Sequence, residues 1–518
     1  MPTMQADVLD TRIPRVRGAA FSRSTLLRLA VLTPAVLFVH GYHPFADDAG
    51  IYVAGVRKLL DPALYRPDAA FVLANTHWSV FAHLLAESVR VTHLPLPWVL
   101  LAAHLASIYL FLLAGWLVAR AVFAREAERW SAVLFAAACF TLPAAGTALV
   151  LMDPYVTSRS FSTPLGLFAV AAVLERRWGW AALLVVLVGT MHPLMVVYAA
   201  AMVALYALVD TGHTRGAVVL GAAGVASFGL VWLATRRFPV SAAYLEAIHN
   251  QVRTFLFPAL WTWYEDLGLV APLALFALAA YRAERESRIR KLCIACIVLG
   301  VSAILAAFLF VHASGPYLVA RVQLLRSFHI LYVVGVLLLG GWLGRMFAHT
   351  RNTRWILYAL LAIAAGGMFA AQRATYPLSA HIEWPGMGPR NPWARAYLWI
   401  RDNTPADAVF AANPELVFLP DVDAQGFRAT TGRSILADDK DQGVAAIVDP
   451  SIAGAWAAQR DAQLGVDTMA DAERERRLRP FGVTWLLLPV DSATAFGCPY
   501  RNAVAKVCRM GKEFVSHP

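Results

Sequence analysis

The sequence predicts a polytopic α-helical membrane protein with about eleven membrane spans, followed by a small extracytoplasmic α/β domain at the C-terminal end. Three observations lead to this fold class. Apolar residues make up 59% of the 518 residues, whereas an ordinary soluble domain contains roughly 45 to 50%. They occur in long unbroken runs with no heptad or Gly-X-Y period, which excludes a coiled coil and a collagen. Short clusters of arginine flank these runs, as is typical of membrane helices.

Membrane-spanning helices need about 20 mostly apolar residues each, with a range of roughly 17 to 25. The segments that approach this rule are 25–42, 96–119, 130–151, 164–174, 179–191, 194–209, 217–235, 267–281, 292–311, 327–344 and 355–371. Segments 164–174 and 179–191 are short, so they form either one broken pair of helices or a re-entrant hairpin.

The distribution of basic residues predicts the orientation of the chain. With the N-terminus in the cytoplasm, every short basic connector lies on the cytoplasmic side, as the positive-inside rule requires. Residues 1–24 then form a basic cytoplasmic segment, and residues 25–371 form the membrane domain. The long connectors of mixed composition lie outside, at 43–95, 153–163, 236–266 and 312–326. The formal charge of +11 therefore reflects orientation, and it favours membrane lipids rather than nucleic acid as partners.

The C-terminal segment, residues 372–518, changes in composition and is predicted to fold as a soluble domain outside the cytoplasm, because an odd number of spans precedes it. Residues 393–402 have the apolar spacing of a helix and end before Asn403-Thr404-Pro405, a helix stop. Residues 408–412 and 483–488 are typical of buried strands in an α/β layer.

Five cysteines in so long a chain are too few for a disulfide scaffold. Two of them, Cys498 and Cys508, lie close together in the C-terminal segment and predict a disulfide. Such a bond suits an oxidising periplasm.

The first outside loop contains two adjacent carboxylates, Asp47 and Asp48, directly after a predicted span. Because like charges repel, we expect at least one of them to have a raised pKa, which suits a general base. Residues 51–60 follow with the apolar spacing of an interfacial amphipathic helix. The alternative interpretation is that the aspartates cap this helix, since Asp is a favoured N-cap residue. The two roles are compatible.

The second outside loop begins with Asp153 and places Arg159 six residues later among several hydroxyl side chains. An arginine at the level of the lipid headgroups can clamp a phosphate, because its planar fork makes bidentate hydrogen bonds. The alternative is a salt bridge within the protein between these two residues.

Three further ionisable residues lie at predicted outer boundaries of the membrane. His192 precedes Pro193 at a break between two apolar runs, where it is either a ligand or a partner for freed backbone groups. Arg321 and Arg326 precede a span, where they either bind a lipid-linked phosphate or extend toward headgroups.

Two other regions carry polar or aromatic clusters. The loop 244–266 is rich in aromatic residues, which form either an interfacial belt or a surface for stacking sugars. In the C-terminal segment, 427–433 (FRATTGR) and Asp438-Asp439-Lys440 either face the membrane loops or form a solvated loop, and the sequence by itself favours the solvated loop.

These features together resemble the GT-C superfamily of integral-membrane glycosyltransferases, which use polyprenyl-phosphate sugars. The resemblance consists of many spans, acidic residues in the first outside loop, another after the third span, and a soluble outer C-terminal domain. The segments DPYVTSRSFSTP, MHPL, WIRDNTPADAVF, FRATTGR and DDK are similar to an uncharacterised group of bacterial membrane proteins of this architecture.

The resemblance implies an inverting sugar transfer from a lipid-linked donor, at the outer face of the bacterial inner membrane. It implies that Asp47 is the general base, with Asp48 as its neighbour and Asp153 as a second acidic residue of the site. Related enzymes often carry Asp-Glu where this chain has Asp-Asp, so either aspartate is a candidate base. A divalent cation can bridge these carboxylates, although a phosphomonoester donor does not require one. The residues implied for the donor phosphate are Arg159, Arg321 and Arg326.

The chain shows no Walker loop, HExxH or GxSxG motif in the required context, so ATP-driven transport and zinc proteolysis lack their usual signatures. A lipid or polysaccharide transporter or flippase would be expected to show repeated halves, and none is evident. A non-catalytic scaffold of an envelope-assembly complex is the remaining alternative.

Overall fold

The computed structural model describes residues 22–250, 255–312, 316–419 and 422–511. Most of the predicted cytoplasmic segment 1–24 lies outside these ranges, as do parts of loops 236–266 and 312–326. The first part of the described chain is helical, with α1 (Arg23–His40), α2 (Asp48–Leu60), α3 (Ala69–Leu73), α4 (Phe81–Thr92), α5 (Leu96–Val122), α6 (Glu126–Ala138), α7 (Arg159–Leu174), α8 (Trp178–Met191), α9 (Pro193–Asp210), α10 (Thr214–Thr235), α11 (Ala242–His249), α12 (Trp263–Arg282), α13 (Arg288–Phe310), α14 (Tyr317–Val322), α15 (Phe328–Phe347) and α16 (Arg351–Thr375).

Eight segments among the described residues are long and apolar enough to cross a membrane. They are α1, α5, α9, α10, α12, α13, α16 and the stretch Tyr317–Phe347, which contains α14 and α15. The shorter apolar helices α7 and α8 correspond to the predicted segments 164–174 and 179–191. Only 6% of the apolar window of α10 is buried within the chain, and exposed apolar surface of this kind is stable in lipid rather than in water. The chain is therefore a membrane protein.

Local sequence sets the ends of several helices. The Ser22 hydroxyl accepts a hydrogen bond from the Thr25 amide at the start of α1, at 3.1 Å. The Ser287 hydroxyl caps α13 in the same way. Between α8 and α9, His192 has an extended backbone and Pro193 occupies the first helical position, which needs no amide donor. The predicted break at His192-Pro193 is confirmed.

The predicted span 130–151 is wrong as a continuous helix. Helix α6 ends at Ala138, and the chain then doubles back, with Pro143 paired to Val150 in an antiparallel bridge. Pro143 lacks an amide donor and Gly146 packs directly against Trp261, so the apolar run forms a tight turn where a helix was expected. This turn leads the chain directly into the loop that carries Asp153.

The described residues of the C-terminal part form five α-helices and a five-stranded sheet. The helices are α17 (Pro392–Asn403), α18 (Phe427–Thr431), α19 (Asp441–Val448), α20 (Ala453–Gln463) and α21 (Asp471–Leu478). The strands are β1 (Val409–Ala411), β2 (Ser434–Ile435), β3 (Trp485–Pro489), β4 (Tyr500–Arg501) and β5 (Ala505–Arg509), in the order β2-β1-β3-β5-β4. The β1 strand is parallel to β2 and β3, whereas β5 is antiparallel to β3 and β4. The predicted helix at 393–402 and the strands at 408–412 and 483–488 are confirmed, as is the disulfide between Cys498 and Cys508.

The C-terminal part packs on the first outside loop through buried polar contacts. Arg428 of α18 forms a buried ion pair with Asp68, which precedes α3. The Tyr65 hydroxyl donates to the Arg428 carbonyl at 2.7 Å, and the Ser434 hydroxyl donates to Asp68 at 2.7 Å. Because a buried charge is costly without its partner, these contacts fix the two parts of the chain against each other. The FRATTGR segment therefore faces the membrane loops, contrary to the solvated loop that the sequence favoured.

Candidate active site

Asp47 lies at a strained turn between the first span and α2. Its φ angle is +47°, an uncommon value for a residue other than glycine. It occupies the N-cap position of α2, but its side chain makes no capping hydrogen bond. Its backbone amide instead donates to the side chain of Gln425, which belongs to the C-terminal part. The position is that of a cap, while the carboxylate is left for other partners.

The Asp47 carboxylate has two partners from distant parts of the chain. The Tyr155 hydroxyl donates to Asp47 Oδ2 at 2.8 Å, and Lys440 forms an ion pair with Asp47 Oδ1. The same Lys440 ammonium lies 3.4 Å from Asp48 Oδ1. The Asp47 side chain is 42% exposed, so a substrate can reach it.

Arg159 joins the two outside loops. Its Nη1 donates to Asp48 Oδ2 at 2.8 Å, and its Nη2 lies 3.1 Å from Asp153 Oδ2. The Arg159 and Asp153 side chains are only 8% and 6% exposed. The predicted salt bridge between these residues is present, and Asp48 completes it as a three-membered network. The structure thus brings Asp47, Asp48, Asp153 and Arg159 into one cluster.

The electrostatics of this cluster differ from the sequence-based expectation. Burial raises the pKa of Asp48, but Arg159 and Lys440 outweigh it and hold that pKa well below its ordinary value. Burial also raises the pKa of Asp153, and the neighbouring Asp48 and Asp47 add to this, so that its pKa remains above the ordinary value despite Arg159. The prediction of a raised pKa in the adjacent pair therefore fails for Asp48, because two cations surround it. The carboxyl with a raised pKa is Asp153.

Arg326 lies near this cluster, and its positive charge lowers the pKa of Asp48. It sits in the tight turn before α15, and its guanidinium lies 5.2 Å from the ring centre of Phe255. Within the described ranges, its buried Nε has no hydrogen-bond acceptor and no ion pair to Arg326 is found. A guanidinium in this state can bind an anion without breaking an internal bond.

Arg326 lines a narrow cavity between helices. The other polar residues of its wall are Ser162 and Thr163 of α7, Tyr198 of α9 and His329 of α15. Ser162 follows Arg159 by three residues on the same helix, so the cavity begins close to the carboxylate cluster.

The two remaining predicted residues have different surroundings. His192 has a buried Nδ1 without an acceptor and is influenced by the charges of Arg159, Arg326 and Asp48, so it belongs to the same region. Arg321 has a partner in the C-terminal part, since its Nη2 donates to the carbonyl of Val448 at the end of α19, at 2.7 Å.

Sequence reasoning did not single out Lys440, Tyr155 or Gln425 as members of the cluster. Lys440 lies in the DDK segment, whose three consecutive charges were the only sequence signal available. Tyr155 lies two residues after Asp153, and Gln425 precedes the FRATTGR segment by two residues.

The carboxylates of the cluster already bind side-chain cations at the positions that a divalent metal ion would need. An ion between Asp48 and Asp153 would take the position where Arg159 bonds both carboxylates. Lys440 in the same way contacts both Asp47 and Asp48. Over the part of the chain that the structure describes, no group of three or more His, Cys, Asp or Glu side chains is arranged to hold a metal ion. This arrangement fits side-chain cations and does not fit a divalent metal.

Comparison with known proteins gives a family match and several similar structures, two of which are described here. Residues 391–453 match a family described as a domain of unknown function, DUF6798. None of the curated proteins compared with the chain matches it. The fold is similar to the crystal structure of the Archaeoglobus fulgidus oligosaccharyltransferase tethered with an acceptor peptide, with 13% identity and a TM-score of 0.48 over 90% of this chain and 69% of that chain.

The second structure is the archaeal oligosaccharyltransferase AglB from Archaeoglobus fulgidus in complex with an inhibitory peptide and a dolichol-phosphate. It has 13% identity and a TM-score of 0.41, again over 90% of this chain and 69% of that chain. Both TM-scores are too low to carry a functional inference.

Proposed function

We propose that this chain is a membrane glycosyltransferase that moves a sugar from a polyprenyl-phosphate-linked donor to an envelope glycan, lipid or protein. The transfer takes place at the outer face of the bacterial inner membrane. The observation that carries the proposal is the exposed Asp47 carboxylate, held by Tyr155 and Lys440 in a cluster whose neighbour Arg326 has a buried Nε with no acceptor among the described residues. The sequence resemblance to GT-C glycosyltransferases supports the same reaction.

The residues suit an inverting displacement at the anomeric carbon. Asp47 accepts the proton of the acceptor hydroxyl, whose oxygen forms a bond to the anomeric carbon. The bond between that carbon and the donor phosphate oxygen breaks, and its electron pair leaves with the polyprenyl phosphate. Arg326 stabilises the negative charge that develops on this leaving group. We assign His192 to the same donor side, because its buried Nδ1 has no hydrogen-bond partner among the described residues.

Arg159 acts as a positioning residue in this scheme. Its guanidinium is already bonded to Asp48 and Asp153, so a phosphate would have to displace a carboxylate to use it. The rigid guanidinium of Arg159 holds Asp48 of the first outside loop and Asp153 of the second. It thereby keeps Asp47, the neighbour of Asp48, in a fixed orientation. In this proposal Arg326, and not Arg159, binds the donor phosphate.

Lys440 supplies the contact between the C-terminal part and the carboxylates. This contact requires that loop 43–95 and the C-terminal part lie on the same side of the membrane. The basic connectors favour the outer side, and the Cys498–Cys508 disulfide suits an oxidising compartment.

The test is a transfer assay with purified protein in lipid nanodiscs, a polyprenyl-phosphate sugar and an envelope extract as acceptor. We expect Asp47→Asn to lower the transfer rate by about 100- to 10,000-fold, the range typical of a lost general base. Asp61→Asn is the matched control, since Asp61 follows the last residue of the same helix and, among the described residues, its side chain accepts only the Ala63 amide, at 2.9 Å.

Transfer by Asp47→Asn at the wild-type rate would remove this residue from the mechanism. Movement of the lipid-linked sugar across vesicles without transfer would indicate a flippase. A wild-type phenotype in cells after replacement of both Asp47 and Asp48, with loss of function on deletion of residues 372–518, would indicate a scaffold.

A further inference from the structure

A second cavity approaches Asp47 from the side of the C-terminal part. It lies between residues 43–46 of the first outside loop, the linker 376–390 and one face of α17, and its volume is about 420 Å³. Pockets of roughly 300 to 1,000 Å³ are typical of small-molecule sites. Its wall includes Ala46, which precedes Asp47, and Gln425, which accepts from the Asp47 amide. A molecule bound here would lie beside the carboxylate proposed as the base.

The linker that forms one wall is held firmly to the first outside loop. The Tyr42 amide donates to the His381 carbonyl at 3.0 Å, and the Glu383 amide donates to the Tyr42 carbonyl at 2.9 Å. Asp423 accepts from the Leu378 and Ser379 amides at 3.1 and 2.9 Å. These bonds fix the linker, so the cleft is formed before any ligand arrives.

Three arginines line the cleft, Arg57, Arg390 and Arg401. Arg401 is paired with Asp402, whereas no ion pair to Arg57 or Arg390 is found among the described residues. Of the two acids in the wall, Asp423 accepts hydrogen bonds from backbone amides and Glu383 lies 3.7 Å from the His43 ring. Arg57 and Arg390 are therefore the arginines of the cleft that can bind an anionic ligand without breaking an ion pair.

Arg57 is the most informative of these arginines. Among the described residues, its buried Nε has no hydrogen-bond acceptor, and no ion pair to its guanidinium is found there. Buried polar atoms are normally hydrogen-bonded, so this nitrogen is available to an anion in the cleft.

The rim of the cleft presents apolar surface as well. Trp384 and Met387 of the linker are 38% and 71% exposed, and both line the cleft. The face of an indole ring packs against the C–H face of a sugar, while arginine forks bind carboxylate or phosphate. The combination is suited to a saccharide that carries negative charge.

We propose that this cleft is the acceptor site and that the acceptor is an anionic saccharide, with a carboxylate or phosphate bound by Arg57 and Arg390 and a sugar ring on Trp384. This inference rests on the proposed function, since it names the substrate class of the same site. A carboxylate and a phosphate bind arginine in the same way, and the experiment below compares a probe that carries each of them.

Binding is measured by isothermal titration calorimetry on the full chain in nanodiscs of neutral lipid, so that the result is independent of transfer. The probes are trigalacturonate, maltotriose 6-phosphate and neutral maltotriose. We expect at least one of the anionic probes to bind about tenfold or more tightly than maltotriose, because hydrogen bonds to charged groups are strong. The tighter of the two anionic probes identifies the preferred anion.

The variants are Arg57→Gln and Arg390→Gln, each expected to weaken anion binding by about tenfold or more without changing maltotriose binding. Arg395→Gln is the matched control, because Arg395 lies on α17 but does not line the cleft. Arg390 is exposed and Arg57 has no bond to lose, so neither change should prevent folding.

Equal binding of charged and neutral probes, or unchanged anion binding by both cleft variants, would overturn the proposal. Complete displacement of the anionic probes by phosphatidylglycerol in the nanodisc would also overturn it, since the site would then hold a lipid headgroup. Loss of transfer by Asp47→Asn is measured separately, so failure of the acceptor proposal is distinguished from failure of the proposed reaction.

Discussion

The Arg159 network gives the sharpest test of how the site is held together. We expect Arg159→Gln to lower the free energy of unfolding by about 3 to 5 kcal/mol, the range for breaking one partner out of a buried ion pair. At 2.8 and 3.1 Å, each pair has a gross attraction of about 5 to 6 kcal/mol at an effective dielectric constant of about 20. Desolvation of the three groups offsets much of it.

The variant also has a predicted dependence on pH. Asp153 is 6% exposed, and burial raises its pKa even in the presence of Arg159. A carboxyl whose folded-state pKa lies above its unfolded value destabilises the fold as pH rises and ceases to do so once it is protonated. Removing Arg159 raises this pKa further, so the variant should recover stability as pH falls toward the pKa of Asp153.

The assay is equilibrium unfolding in mixed detergent micelles containing increasing dodecyl sulfate, followed by tryptophan fluorescence at several pH values. Asp153→Asn in the Arg159→Gln background is the paired variant. It should restore a large part of the stability at neutral pH and remove the gain on acidification. A variant as stable as the wild type at neutral pH, or one that loses stability on acidification, would refute this account of the network.

Three further predictions concern neighbouring residues. Lys440→Met should lower transfer by at least tenfold, because Asp47 and Asp48 lose their shared cation; an unchanged rate would show that this contact is not needed. Arg326→Gln should raise the KM for the lipid-linked donor while leaving thermal stability close to the wild type, since its guanidinium has no ion pair to lose among the described residues; an unchanged KM would contradict the phosphate role. Burial, with help from Asp438, raises the pKa of Asp441 from 3.8 to about 7, so stability should fall as pH rises from about 4 to about 7. Asp441→Asn should flatten that slope in a thermal melt, and a slope equal to that of the wild type would exclude this group as its source.

Much of the architecture could be predicted from the sequence, because a membrane imposes a simple rule on it. Long apolar runs and the arginines that flank them predicted eleven segments, and the structure forms ten of these as apolar helices. The failure at 130–151 has a local cause. Hydropathy does not register that Pro143 and Gly146 break a run whose composition is otherwise that of a span.

The candidate site could be predicted in part. Asp47, Asp48, Asp153 and Arg159 stood out because ionisable residues are rare at the outer membrane boundary. Their pairing could not be predicted, because the tertiary fold decides whether a phosphate or the two carboxylates lie within bonding distance of Arg159. Lys440 was out of reach for the same reason, as it comes from a segment about 390 residues away in the chain.

The sequence by itself determined that the chain enters a membrane, where its charged connectors lie and which few ionisable residues interrupt its apolar surface. These properties depend on composition and on the order of residues over short stretches of the chain. Lipid and water act on such stretches directly, whatever the tertiary structure. The tertiary structure alone decided which charges neutralise one another and which remain available. Asp48 and Asp153 share Arg159, and Lys440 contacts Asp47 from the far end of the chain. Among the described residues, Arg326 and Arg57 have no acidic partner. Electrostatic pairing depends on distance in space, and residues far apart in sequence come within a few ångströms only once the C-terminal part has packed on the outer loops.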